Sequence, residues 1–216
     1  MTFAVGVFDV FASAVPGSLY LAFFGYVAAR LHLIEVGVVG RMPVLLLVIA
    51  VVVLSYLLGY VAYPFGQATN RIVPKRAKQC PREEFLDRNP AARSRDYVRA
   101  DPFLLLAAAE LYDKEAAMEA NRLRAVEVML CNSAFPLGLA CLASITELLI
   151  GSKPALSAGC AALFVVAFFS LIIQGRRLGR WADIKTLELC FWLPNIDDRF
   201  RTHGDSTNNS PPAVAD

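Results

Sequence analysis

Histidine is almost missing from this chain: among 216 residues there are only His32 and His203. No site of paired imidazoles can be built from them, and no HExxH occurs. The nucleophile elbow GxSxG, the phosphate loop GxxxxGK[ST] and a GxGxxG after a strand are also missing. The five cysteines are Cys80, Cys131, Cys141, Cys160 and Cys190, with no CxxC and no zinc-like spacing. No disulfide framework, metal or cofactor is expected. The sequence nominates no catalytic residue, so a non-enzymatic role is expected.

Charge of either sign is scarce over long stretches. Net charge is only +2, too small to suggest nucleic-acid binding. Val10 to Ala29, Met42 to Asn70, Val128 to Thr146 and Pro154 to Gly175 carry no charged residue. About 20 apolar residues cross a hydrocarbon layer as a helix. A helix at a water-exposed surface keeps a polar face. Leu45 to Leu54 reads LLLVIAVVVL and has none. The expected fold class is therefore an all-α integral membrane protein with four transmembrane helices and a helical cytoplasmic extension preceding the third. The first 29 residues carry one charge, Asp9, and no basic n-region, so a first transmembrane helix is expected rather than a cleaved signal.

Spans are expected at about 10–30, 43–65, 126–148 and 154–174. They form an N-terminal hairpin within 1–70 and a C-terminal hairpin within 125–175. The segment from Arg71 to Arg124 holds 12 of the 21 Lys and Arg residues, and the chain after Gly175 holds six. Arg30, Arg41 and Lys153 remain for the other side. The positive-inside rule then places 71–124, the segment 176–201 and both termini in the cytoplasm, in a bacterial-type plasma membrane.

Within 71–124 a short helix is expected from Pro81 to about Asp87. Asp101 and Pro102 form a cap and first-turn pair. One unbroken helix is expected from there into the third span, carrying Glu110 and Lys114 as an i,i+4 pair. Phe103 to Ala109 is apolar throughout and has to be covered by the rest of the segment, a second subunit or lipid. After the fourth span, Leu178, Trp181, Ile184 and Leu187 recur as an amphipathic face. The polar stretch 202–216 is expected to be disordered.

Two groups of candidate residues follow. Glu127, Asn132 and Arg124 form a polar site at the boundary of the third span, where a carboxylate can serve an ion path or a structural ion pair. Arg176, Arg177, Arg180 and Trp181 are candidates for anionic-lipid contacts. Pro16 lies inside the first span, and Gly25, Gly59 and Ala62 offer close helix contact, with no GxxxG inside any span. The expected partners are membrane lipids and either a cytoplasmic protein or another copy of the chain, with no nucleic acid. The expected function is a regulatory, sensor or effector subunit acting through its cytoplasmic face. A small oligomeric channel or transporter is the alternative.

Overall fold

A computed structural model describes residues 2–33, 43–72, 80–151, 154–193 and 196–197. Most of the first link, Lys153, Pro194, the basic stretch 73–79 and the stretch 202–216 expected to be disordered lie outside the described residues. Among those residues the secondary structure is helical, with no strand. The α-helices are α1 (Thr2–Arg30), α2 (Val44–Val61), α3 (Tyr63–Ile72), α4 (Pro81–Arg88), α5 (Pro102–Tyr112), α6 (Lys114–Ile150) and α7 (Pro154–Phe191). Short 3-10 turns at Pro90–Ser94 and Asp96–Arg99 follow α4.

Among the described residues four helices are long and apolar enough to cross a membrane: α1 from Val10, α2, α6 and α7. Their surface is inverted relative to a helix made for water. In α2 the buried residues are Ser55 and Gly59, whereas Val44 and Leu45 are each 76% exposed. Such a surface suits hydrocarbon as its solvent, where small residues pack inward and large apolar side chains face lipid. At 1.5 Å per residue, α6 and α7 each extend about 55 Å, well beyond a hydrocarbon layer of about 30 Å.

The chain divides into two compact units, 1–75 with 124–179 and 76–123 with 180–216. In the first unit α1 and α2 run antiparallel. A Cβ on Gly17 would land on the Ser55 carbonyl, and one on Gly59 on the Ser13 carbonyl. Ser13 with Gly17, and Ser55 with Gly59, form a small-xxx-small pair on each helix. Gly25, an expected contact point, has nothing nearby, so Gly17 takes that role. The α6 and α7 segments are also antiparallel. Gly179 packs at Glu127, Gly175 at Cys131 and Gly138 at Phe168. Tyr20 stacks on Phe135 with centroids 6.2 Å apart, and Tyr26 meets Glu147, so α1 runs parallel to α6. These directions alternate as an up-down-up-down bundle requires. The second span is interrupted at Ala62, before α3. Pro64 supplies the reason, since it has no N–H to give the preceding turn.

The second unit has its own apolar core. Phe85, Tyr97, Val98, Leu105, Leu106, Ala117, Leu187 and Cys190 are buried together. Asp101 caps α5 by accepting from the Phe103 N–H at 2.7 Å. The single unbroken helix expected from Asp101 does not form. Asp113 leaves the helical conformation (φ −138°, ψ 98°), ends α5 and caps α6. Its carboxylate accepts from the N–H groups of Glu115 at 3.0 Å and Ala116 at 3.1 Å. An aspartate can satisfy first-turn donors better from outside the helix than within it. The Glu110–Lys114 pair is therefore split, and Glu110 accepts from the Asn121 amide instead. The stretch 89–100, between the two expected helices, folds into the two 3-10 turns and buries Tyr97 and Val98. Asp197 binds this region, accepting from Arg95 at 2.7 Å and from the Tyr97 N–H at 3.2 Å.

Candidate functional site

Glu127 lies on the face of α6 that meets α7. A Cβ on Gly179 would coincide with its carboxylate, so glycine provides the space that the carboxylate fills. One turn earlier, a Cβ on Gly175 would come within 2.8 Å of Cys131 Sγ and 3.5 Å of the Glu127 carbonyl oxygen. Gly175 and Gly179 form a GxxxG that straddles the end of the uncharged part of the fourth span, on one helix face. Arg124, Glu127, Arg176 and Arg177 all take part in polar or electrostatic interactions.

Asn132 belongs to a different contact. Its amide fills the space where a Cβ of Gly66 would sit, on α3. Five residues along a helix turn the side chain by roughly 140° at 3.6 residues per turn. The structure thus sends Glu127 toward α7 and Asn132 toward α3. Asn132 and its neighbour Ser133 are both buried.

The basic group after the fourth span is also divided. Arg176 and Arg177 fall in the first unit, Arg180 and Trp181 in the second. Arg180 Nε lies 3.6 Å from Glu84 Oε2, while Glu84 Oε1 accepts from Arg88 at 2.6 Å. Trp181 is 42% exposed. Of the face expected from Leu178, Trp181, Ile184 and Leu187, Ile184 and Leu187 are buried, Leu178 is half-buried and Trp181 is exposed. Ala182, Thr186 and Cys190 are buried beside them. Ala182, Thr186, Leu187 and Cys190 are spaced for a helical stripe, which a period of three misses. Cys190 Sγ donates to the Leu105 carbonyl at 3.5 Å. Burial pushes its thiol up to about 12, and raises the Tyr97 hydroxyl as well. The Asp197 carboxylate raises the Arg95 guanidinium by hydrogen bonding to it.

A second polar group emerges at the end of the bundle that carries the two short links. Glu147 Oε1 accepts from Tyr26 Oη at 2.9 Å and from Arg30 Nε at 2.6 Å. Tyr26 and Arg30 stand four apart, so α1 presents both on one face. These three residues border a cavity of about 570 Å³ between α1, α6 and α7. Its walls include Leu19, Phe23, Pro136, Ala140, Leu156 and Phe164. Sequence reasoning used Arg30 only in the count of charges that sets topology, and did not pair it with Glu147. The available signal was Tyr26 and Arg30 at i,i+4 at the end of a span.

This site has the means to bind a polar group beside an apolar one. Among the described residues no cluster of histidine, cysteine, aspartate and glutamate is placed to hold a metal. Comparison with protein-family models, curated proteins and solved structures gives no match for this chain.

Proposed function

We propose that this is a multi-pass protein of a bacterial-type plasma membrane, with both termini cytoplasmic, serving as a non-enzymatic regulatory, sensor or effector subunit. It acts through the helical unit formed by 76–123 and 180–216, by binding a second copy or a cytoplasmic protein. The charge asymmetry of 18 basic residues against three supports placing that unit inside.

One observation carries the reading. The unit buries Leu105, Leu106 and Ala109 of α5 in its own core, yet leaves Phe103 74%, Leu104 60%, Leu111 84% and Tyr112 66% exposed on the same helix. Nothing among the described residues covers this surface, and exposed apolar groups of this kind mark contacts with other molecules. Asn132, part of the site that motivates a channel, is packed away inside the bundle beside Ser133, and this favours a structural role for it.

Crosslinking of the full chain in gentle detergent tests the proposal. The expected result is a discrete crosslinked species that Leu104→Ser with Leu111→Ser abolishes while the helical content is kept. A strictly monomeric chain with no co-purifying protein overturns it.

A further inference from the structure

The 570 Å³ cavity has one polar end and otherwise mostly apolar walls. Its volume lies within the usual range of small-molecule sites. Its walls belong to the segments that are apolar enough to cross a membrane. In a bilayer such a cavity takes hydrocarbon, because acyl chains are the solvent there. At the polar end, Glu147 and Arg30 carry one negative and one positive charge. The Arg30 side chain is 57% exposed, and only its Nε is committed to Glu147 among the described contacts. Both Glu147 bonds go to Oε1.

We propose that this cavity is a binding site for a zwitterionic glycerophospholipid with a primary-amine headgroup, of the phosphatidylethanolamine class. One acyl chain fills the space between α1, α6 and α7. The phosphate meets the free edge of the Arg30 guanidinium, which offers donors beyond Nε. The ammonium meets Glu147 Oε2. A purely anionic headgroup gains little at a pair of zero net charge, and a quaternary amine has no N–H to give the carboxylate. The preference is therefore for a headgroup carrying both a phosphate and an N–H donor. The proposal does not rest on the cytoplasmic unit or its partner.

Cys160 provides the probe, since it lines the cavity and is only partly buried, whereas Cys131, Cys141 and Cys190 are buried. Exposed Cys80 is removed by Cys80→Ser. The full chain in mild detergent is then alkylated with a small maleimide, in micelles doped with phosphatidylethanolamine, phosphatidylcholine or phosphatidylglycerol. The expected result is slower alkylation of Cys160 with phosphatidylethanolamine than with either other lipid. Glu147→Gln, nearly the same shape, erases that preference, weakening retention about ten-fold through loss of one charge-assisted hydrogen bond. Ala140→Phe fills the cavity and removes lipid dependence altogether. Native mass spectrometry of the same samples counts one retained phosphatidylethanolamine per chain. Equal protection by all three lipids would mean surrounding lipid only, and overturns the proposal. Protection of Cys160 without any lipid would assign the cavity to a second copy, and overturns it too.

Discussion

Replacing Gly17 by alanine tests whether the first two helices touch backbone to backbone. A Cβ at Gly17 would stand 2.7 Å from the Gly59 nitrogen and 2.6 Å from the Ser55 carbonyl carbon. Ordinary contact begins near 3.4 Å, so the shortfall at these two atoms alone is 0.7 to 0.8 Å. The obstructing atoms belong to helix backbone and have no rotamer in which to escape. Relief requires α1 and α2 to separate, which opens the Ser13–Gly59 contact at the same time. Overpacking of this kind costs about 1–3 kcal/mol, and a backbone obstacle puts Gly17→Ala at the upper end. Alanine also raises helix propensity by about 1 kcal/mol relative to glycine in water, acting in the opposite direction. The net expectation is a loss of about 2 kcal/mol. Gly25→Ala on the same helix is the control, because nothing lies within 4 Å of its Cβ position. It collects the propensity term alone and is neutral or stabilising. Unfolding in mixed micelles with increasing denaturing detergent, followed by circular dichroism, reads both variants. If Gly17→Ala and Gly25→Ala unfold at the same midpoint, the close approach of the two helices is refuted.

Two further expectations concern the second unit. Asp113→Ala deletes the cap that starts α6 and lowers stability by about 1 kcal/mol, whereas Asp113→Asn retains an acceptor and keeps most of it. Equal losses in thermal midpoint would show that the two N–H contacts contribute nothing. Cys190 stays unalkylated at pH 8 while Cys80 reacts, because burial holds its thiol up to about 12. Its folded pKa lies above the unfolded one, so this contribution is complete below about pH 8.5 and declines as pH rises, by up to about 1.4 kcal/mol per pH unit. Tyr97, also raised, acts with the same sign from about pH 10 upward. The thermal midpoint should therefore fall between pH 8 and pH 11, and Cys190→Ala should flatten the first part of the fall. A profile that Cys190→Ala leaves unchanged refutes the assignment.

The amino-acid sequence by itself determined the positions of the four apolar helices. Length and lack of charge are local properties, and no distant contact is needed to read them from LLLVIAVVVL. The short helix at Pro81 and the cap at Asp101 were legible for the same reason. The end of α5 at Asp113 was also written locally, since an aspartate with N–H groups two and three residues on is a helix start, but the strong helix formers around it concealed the signal. Tertiary structure alone decided which residues share a site. Arg30 and Glu147 are separated by 117 positions, and only the parallel course of α1 and α6 joins them. Glu127 and Asn132, neighbours in sequence, are sent to different helices by glycines at Gly179 and Gly66. Glycine leaves no hydrophobic period in the sequence to mark such a contact. The space it vacates has meaning only once another helix is there to fill it.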